Sequence, residues 1–246
     1  MGSEIHYFQM ENQYNAVHFP ERPNGFAVLV IGDANHYVEK GASLWTQHFA
    51  RRYWIEEFVK EGYIVFYSNL FGPNWGSPKS VEYLHSLWQL LLRKYILNNR
   101  LHVAADGMGA LSALKLMKKY PRMVRSAVFI DPCLDLKHHF HKEKSNRLFF
   151  HRMLHDLSAA YEVKSEHVEE NVIAAYRMED YVTNHPVRIW HATDLHIYDI
   201  TGNSRQFEKL REESGNPIKL TLYVQEKKYT CASDIKPFFK ENEKIL

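Results

Sequence analysis

The stretch HVAADGMGALSALKLMKKYP (His102–Pro121) contains the turn that decides the fold. A short apolar run predicts a strand, and the amphipathic pattern after Gly109 predicts a helix. Between the two lies a tight turn that carries Gly107 and Gly109. A strand that passes through a glycine turn directly into a helix is typical of the α/β class.

Short apolar runs alternate with longer amphipathic segments on both sides of this turn. Strands are predicted at HYFQM, NAVHF, FAVLVI, YIVFYS, LHVAA, RSAVFID, VRIWHA and IKLTLYV. Helices are predicted at LWTQHFARRYWIEEFVKEG, KSVEYLHSLWQLLLRKYIL, GNSRQFEKLREESG and SDIKPFFKEN, besides the one after Gly109. Ser77 is expected to cap the second of these, with Pro78 as its first residue. The alternation predicts one mostly parallel sheet with helices on both faces.

The alternation of strand and helix patterns stops between about residues 134 and 185, where helical patterns occur without a convincing strand. We therefore expect a helical lid inserted into a single domain that spans residues 1–246. A chain of 246 residues is long enough to bury a substantial core.

The composition excludes several classes of protein. Hydrophobic residues make up 45% and charged residues 24% of the chain, and the net charge is +2 with 15 histidines. Opposite charges are interspersed rather than gathered in a basic stripe, so we expect no nucleic-acid partner. No basic region followed by an apolar run opens the chain, and no apolar stretch approaches the length of a membrane span. Cys133 and Cys231 are far apart, as in a reduced cytoplasmic protein.

The element order and the turn resemble the α/β-hydrolase superfamily, and the resemblance covers nearly the whole chain. That family carries its nucleophile at the centre of a G-x-S-x-G elbow between a strand and a helix. Here the frame falls on Ala105-Asp106-Gly107-Met108-Gly109-Ala110, so that the nucleophile position is Gly107. Glycine adopts positive φ without strain, whereas a serine at such a corner is strained by about 1–3 kcal/mol.

The resemblance also implies a histidine in the loop after the last core strand, at about Val224–Ser233. This loop has none, and no histidine follows His196. The family's acid position resembles Asp194 or Asp199, but an acid orients nothing where the imidazole is missing. Lys227, Lys228 and Tyr229 are poor replacements as a general base near neutral pH. The sequence therefore predicts a degenerate elbow without the standard triad.

Other polar stretches of the sequence are candidates for a site. The run KHHFHK, with His151 and His155, is predicted to be a solvated surface rather than a metal centre, because no cysteine or carboxylate frame completes it. No metal and no cofactor is expected. Asp33, in the loop Gly32–Ser43 where the family builds its oxyanion hole, would bring negative charge to a site meant for an anion. This loop is either a surface loop or a retained pocket wall, and Asp106 is expected in a turn or cap role.

The leading hypothesis is an inactive α/β-hydrolase-like protein that binds a small molecule, a peptide or a protein partner under the lid. The cleft is predicted to be lined by His36, Asn69, Trp75, Gly107 and Met108. The aromatic content is compatible with a homo-oligomer. The stretch Asn69–Pro78 follows a strand end and is either a surface that offers Trp75 and the amides of Asn69 and Asn74 to a polar ligand or peptide, or a turn held by a buried Trp75.

The alternative hypothesis is an unconventional hydrolase of a small ester or amide. Its catalytic groups would be relocated to Ser68, Cys133, His36 or His191. Both hypotheses predict the same fold, and fold alone does not decide between them.

Overall fold

A computed structural model describes residues 4–194 and 197–243. Its main feature is an eight-stranded sheet in the order β1-β2-β6-β3-β7-β8-β9-β10. The strands are β1 (Glu4–Met10), β2 (Gln13–Phe19), β3 (Ala27–Ile31), β4 (Val38–Glu39), β5 (Ala42–Ser43), β6 (Ile64–Ser68), β7 (Leu101–Asp106), β8 (Val124–Ile130), β9 (Val187–Ala192) and β10 (Lys219–Tyr223). All eight strands predicted from the apolar runs are thereby confirmed, and β4 and β5 form a separate two-stranded sheet inside the loop that follows β3.

The sheet is mostly parallel, as predicted. Only β1 pairs antiparallel with β2, and β2 antiparallel with β6; β6, β3, β7, β8, β9 and β10 run parallel. The central strands β3, β6, β7 and β8 are buried along their whole length. Burial on both faces explains why these strands appear in the sequence as continuous apolar runs.

Eight α-helices lie around the sheet in the described residues. They are α1 (Leu44–Gln47), α2 (Phe49–Lys60), α3 (Pro78–Lys94), α4 (Gly109–Lys119), α5 (Leu136–Glu143), α6 (Arg147–Tyr161), α7 (Gln206–Glu213) and α8 (Ala232–Glu241). One hydrophobic core gathers residues of α3, α4 and the segment after β8, and a second core gathers residues of α2 and α8. The two cores occupy opposite faces of the sheet, because Val103 and Ala105 belong to the first and Ala104 to the second.

The helix predicted over LWTQHFARRYWIEEFVKEG is two helices rather than one. His48 has extended backbone angles, φ −87° and ψ 115°, which end α1 and start α2. Ser43 caps α1 by accepting the Thr46 N–H, so this short turn has its own start signal. The predicted start of α3 is confirmed: the Ser77 side chain accepts the Ser80 N–H, and Pro78 is the first helical residue.

Residues 134–185 are all described and contain no strand, as the sequence predicts. After α5 and α6 come only single helical turns, at Ser165–His167, Glu169–Ile173 and Met178–Tyr181. We refer to residues 134–185 as the helical insert, and its action as a lid stays a prediction. Over the described ranges, no helix is both long and apolar enough to cross a membrane.

Candidate functional site at the strand–helix turn

The turn between β7 and α4 has the geometry of a nucleophile elbow. β7 ends at Asp106, Gly107 has φ +54°, and α4 begins at Gly109. A Cβ atom at Gly109 would lie 2.6 Å from the backbone oxygen of Ile31, so only glycine allows α4 to approach β3 this closely. Gly107 thus lies at the apex of the strand–helix turn, and its identity as the nucleophile position stays a prediction.

The carboxylate of Asp33 occupies the space directly over Gly107. A Cβ atom at Gly107 would lie 2.3 Å from both Cγ and Oδ1 of Asp33. Oδ1 accepts the Met108 N–H at 2.8 Å and the Tyr198 hydroxyl at 2.9 Å. The backbone N–H that follows an elbow nucleophile is one of the donors of an oxyanion hole. Here that donor is satisfied by a side chain of the same protein.

Asp33 is a half-buried carboxylate whose hydrogen-bond donors are neutral. Burial raises the pKa of Asp33, and the negative charge of Asp106 raises it further. The N–H groups of Met108 and Ala34 and the Tyr198 hydroxyl oppose this rise without cancelling it. Of the two readings left open for the Gly32–Ser43 loop, the start of the loop is therefore part of the elbow and not a free surface.

The predicted cleft residue His36 packs onto this loop. Its Nδ1 lies 2.6 Å from the backbone oxygen of Asp33, and burial lowers the pKa of the ring. A Cβ atom at Gly32 would lie 2.5 Å from the Cβ of His36, so glycine is needed where the ring folds back. His36 thus fixes the backbone that carries the Asp33 carboxylate.

The other predicted cleft residues are brought together around the elbow, but they are packed against one another. Trp75 is 5% exposed and Met108 is 0% exposed. The backbone N–H of Trp75 donates to the Met108 sulphur at 3.2 Å, and the indole stacks on His139 with the ring centroids 5.6 Å apart. Asn69 instead ties the loops together, since its side chain contacts the Val38 N–H and Gln13. Side chains of the protein fill the place where an open cleft was predicted, and ligand binding by these residues stays a prediction.

The loop after β10, where the resemblance implies a histidine, carries Lys228, whose side chain is half-buried. The Lys228 Nζ atom lies 2.7 Å from Asp106 and 3.0 Å from Asp131, and Arg51 contacts the other Asp106 oxygen at 3.1 Å. Tyr223 donates its hydroxyl to Asp131 at 2.6 Å. We call these four charged residues, Arg51, Asp106, Asp131 and Lys228, the buried ion network.

Opposite charges decide the protonation of this network. Burial alone would lower the pKa of Lys228, but Asp106 and Asp131 outweigh it and raise the pKa. Burial would likewise raise the pKa of Asp106, and the charges of Lys228 and Arg51 lower it instead. Asp106 is thus a structural ion-pair partner rather than a turn or cap residue, which corrects the prediction.

The two predicted acid positions are placed differently. Asp194 is exposed, and its carboxylate accepts the Gln225 N–H at 2.9 Å, next to the loop after β10. Asp199 accepts the Gly202 N–H at 2.7 Å and lies 2.8 Å from Nε2 of His138 in the helical insert. The assignment of the acid position to Asp194 or Asp199 stays a prediction. His196, the last histidine of the sequence, lies outside the described residues.

The groups considered as relocated nucleophiles and bases are engaged in structural contacts. Cys133 is buried, and burial raises the pKa of its thiol well above the usual range. His191 is buried, with Nδ1 at 2.6 Å from the Ser204 hydroxyl and Nε2 at 2.8 Å from the Tyr198 backbone oxygen. The Ser68 hydroxyl accepts the Leu70 N–H at 3.0 Å. No group of three or more His, Cys, Asp or Glu side chains in the described ranges could hold a metal ion.

Sequence reasoning placed Asp33 near the site but missed its contacts with the Met108 N–H and the Tyr198 hydroxyl, and it missed the pairing of Lys228. One signal was available: Asp106 and Asp131 follow the apolar parts of two strands that proved to be adjacent and parallel. Carboxyl ends of such strands meet at one edge, where a shared cation lowers the cost of burying two carboxylates.

Comparisons with known proteins place this geometry in a known fold. No family model and no curated protein matches the sequence. Est1E from Butyrivibrio proteoclasticus is similar in structure with a TM-score of 0.69 at 13% identity, covering 98% of this chain and 99% of that one. An esterase from Pyrococcus furiosus gives 0.66 at 15% identity, with coverages of 98% and 91%. An α/β hydrolase from the metagenome of lagoon sediments at Mar Chica, Morocco, gives 0.55 at 13% identity, with 96% of each chain covered.

The strand order, the elbow and these similarities show that the chain has the α/β-hydrolase fold. At identities of this size the comparisons concern the fold and not the activity.

Proposed function

We propose that this protein is a non-catalytic α/β-hydrolase-fold protein that acts by binding a ligand or partner. The observation that carries the proposal is the Asp33 carboxylate, which lies over Gly107 and accepts the Met108 N–H. Three physical arguments lead from this contact to the lack of catalysis.

The first argument concerns the nucleophile. Gly107 has no side chain, and a serine there would meet Asp33 at distances that no Cβ atom adopts. Ser68 and Cys133 offer no substitute, because their side chains are buried and in structural contacts. A thiol with a raised pKa is a poor nucleophile, since the thiolate is the reactive form.

The second argument concerns the transition state. Acyl transfer develops negative charge on the substrate oxygen, and N–H donors at the elbow stabilise this charge. The Met108 N–H already donates to a carboxylate, and a second negative oxygen next to that carboxylate would be repelled. The site thus opposes the charge that an esterase must stabilise.

The third argument concerns the base. Lys228 takes the place of the histidine loop, but its two carboxylate partners keep it protonated at neutral pH. A general base must be unprotonated and within reach of the proton that it removes. Lys228 is protonated, and it faces Asp106 on the side of the sheet away from the helical insert. It therefore meets neither requirement.

Binding is the role that these features leave to the elbow. Of the predicted cleft residues, His36, Trp75 and Met108 are buried near the elbow, and Trp75 contacts His139 of the helical insert. A small molecule, a peptide or a partner protein would be held there without covalent attack, after the insert moves away from Trp75 and Tyr198. The identity of the occupant is the open part of the proposal.

The experiment is a hydrolysis assay on p-nitrophenyl acetate and butyrate, combined with labelling by a fluorophosphonate probe. We expect rates equal to those of the heat-denatured protein, and no labelled band. Cys133→Ala and Asp33→Asn serve as matched variants. Saturable turnover that either variant abolishes would contradict the proposal and favour the relocated hydrolase.

A further inference from the structure

Lys115 is the only charged residue in the stretch Gly109–Met117 of α4, and it is the only residue of that stretch that is not fully buried. It is half-buried and follows Leu111 by about one helical turn, so the two side chains share a face of the helix. Leu111 packs closely against the loop before α3, because a Cβ atom at Gly76 would lie 2.9 Å from the Leu111 Cβ. A lysine thus lies on a face of α4 that packs against other parts of the protein.

Three tyrosines of the helical insert surround the Lys115 ammonium group. Its Nζ atom lies 2.7 Å from the Tyr161 hydroxyl, which accepts its hydrogen bond. The same Nζ atom lies 5.1, 5.8 and 5.9 Å from the ring centroids of Tyr161, Tyr176 and Tyr181. Distances below about 6 Å are those of cation–π contacts. We call Lys115 and these three tyrosines the tyrosine cage, which joins α4 to the insert.

The Tyr161 hydroxyl connects the cage to the predicted cleft residues at the elbow. It donates to the backbone oxygen of Trp75 at 2.9 Å. The backbone N–H of Trp75 in turn donates to the Met108 sulphur at 3.2 Å. An opening movement that carries Tyr161 away from Trp75 therefore also breaks the contact between Tyr161 and Lys115.

The tyrosine cage holds a positive charge without a carboxylate. No Asp or Glu in the described ranges forms an ion pair with Lys115, whose hydrogen bond goes to a neutral hydroxyl. Removing an ammonium group from water is costly unless an opposite charge compensates it. Three aromatic faces and one hydroxyl offset part of this cost. Burial nevertheless lowers the pKa of Lys115 to about 8, so the closed insert carries an unbalanced charge near neutral pH.

The other titratable groups at the cage keep their charge state between pH 7 and pH 9. Burial raises the pKa of each of the three tyrosines, so their hydroxyls stay neutral. Burial also raises the pKa of the Cys133 thiol, which lies near two of them. The charge of Asp180 acts on Tyr181 and not on Lys115. Lys115 is therefore the group of the cage that titrates in this range.

The part of the insert that carries two of the tyrosines has few buried side chains. We call residues 162–182 the outer segment; its regular structure consists of single helical turns. Its fully buried residues are Val168, Val172, Ile173, Tyr176 and Met178. Segments with so little buried apolar surface open at a lower free energy than the core of a protein. Opening of the outer segment is therefore expected without unfolding of the sheet.

We propose that the tyrosine cage makes the opening of the helical insert dependent on protons, with Lys115 as the group that binds the proton. In the closed insert the ammonium group lies among the tyrosines, and opening returns it to water. The pKa of Lys115 is about 8 in the closed insert and 10.5 in water, so opening takes up a proton between these pH values. A pH below 8 thus favours the open insert, and a rising pH favours the closed one.

The consequence for binding rests on the proposed function, in which a ligand enters beneath the insert. Opening is measured here without a ligand. Hydrolysis of an ester would contradict the proposed function and leave the measured opening unaffected, so the two proposals fail separately.

The test is hydrogen exchange of the full chain at pH 7, 8 and 9, followed by mass spectrometry and corrected for the intrinsic dependence of exchange on pH. The variant is Lys115→Met, which keeps a flexible apolar side chain and removes the charge. The matched control is Lys79→Met. Lys79 also contacts the insert, through Glu162 at 3.3 Å, but its side chain is 57% exposed.

We expect the protection of the outer segment in the wild type to rise about tenfold from pH 7 to pH 9, while that of β7 and β8 changes less than about twofold. In Lys115→Met, protection of the outer segment at pH 7 should be at least about threefold above that of the wild type and independent of pH. Lys79→Met should follow the wild type within about twofold, because an exposed ion pair contributes little.

Three results would contradict the proposal. The first is outer-segment protection in the wild type that does not change with pH. The second is a rise with pH that persists in Lys115→Met, because another group would then bind the proton. The third is an equal rise in β7 and β8, because the pH would then act on the stability of the whole protein and not on the insert.

Discussion

Asp33 and Asp106 are two carboxylates at the same end of the sheet, the first half-buried and the second buried, yet they have opposite surroundings. Asp33 contacts the Met108 N–H and the Tyr198 hydroxyl, and its pKa is raised. Asp106 contacts Lys228 and Arg51, and its pKa is lowered. Side chains alternate between the two faces of a strand, so Asp106 points away from the elbow whose apex follows it.

The different surroundings of these two carboxylates indicate two different roles, which a sequence motif alone does not distinguish. A carboxylate paired with cations is a structural element, because its charge is balanced where it lies. A carboxylate that contacts only neutral donors keeps a charge that no cation balances, and under the proposed function Asp33 lies where an oxyanion would otherwise bind. The following predictions test this contrast, from the largest expected effect to the smallest.

Asp106→Asn should lower the free energy of unfolding by about 3 kcal/mol, because it leaves Arg51 and Lys228 with less than their compensating charge inside the protein. Urea denaturation followed by tryptophan fluorescence measures the change. Glu56→Gln, which breaks the exposed pair with Arg52, is the control and should have little effect. Equal effects in the two variants would mean that the network is not a source of stability.

Gly107→Ser should lower the free energy of unfolding by about 2–4 kcal/mol. Part of this cost is backbone strain at φ +54°, and the rest is the clash with Asp33. Gly41→Ser is a matched control, since Gly41 has φ +83° and open space around its Cβ position. We expect the control to lose only about 1–2 kcal/mol by the same denaturation experiment. A Gly107 variant no less stable than the control would exclude the clash.

Asp33→Asn should change the free energy of unfolding by less than about 1 kcal/mol at pH 7, in contrast to Asp106→Asn. The amide oxygen still accepts the Met108 N–H and the Tyr198 hydroxyl, and the negative charge of Asp33, which Asp106 repels, is removed. Thermal unfolding of the two variants side by side gives the comparison. A loss at position 33 as large as that at position 106 would show that the Asp33 charge is balanced by a cation after all.

The same two variants should differ in their dependence on pH. The folded protein binds the Asp33 proton more tightly than the unfolded chain, so Asp33 favours folding at low pH and loses that contribution as the pH rises above 3.8 through its raised pKa. The stability of Asp33→Asn relative to wild type should therefore fall as the pH is lowered from 8 toward 4.

The dependence of stability on pH has the opposite sign at Asp106. Its lowered pKa gives stability above 3.8, which is lost only as the pH falls below that value. The deficit of Asp106→Asn should therefore stay constant from pH 8 to pH 5. Denaturation midpoints measured across this range check both trends, and parallel curves for the two variants would contradict them.

The sequence was sufficient for the strands, the strand–helix turn at Gly107 and the cap at Ser77, because these features depend on apolar runs and on neighbouring residues. It was insufficient for α1 and α2, where the apolar pattern continues through His48 while the backbone does not. Local hydrogen bonds of Ser43 and Thr46 override the pattern there.

The site was harder to predict than the fold, since its decisive contacts join residues far apart in the chain. Asp33 contacts Met108 and Tyr198, and Lys228 contacts Asp106 and Asp131. No periodicity connects such positions. That position 107 is glycine and that no histidine follows His196 was visible in the sequence, whereas the contact of the Asp33 carboxylate with the Met108 N–H was visible only in the structure.

The most direct test of the account is the coupling between positions 33 and 107, measured with Gly107→Ser, Asp33→Ala and the double variant. If the carboxylate occupies the space of an elbow side chain, Asp33→Ala will recover at least about 1.5 kcal/mol of the stability that Gly107→Ser loses. Free energies of unfolding that add within about 0.5 kcal/mol would contradict the account, because the two positions would then not share that space.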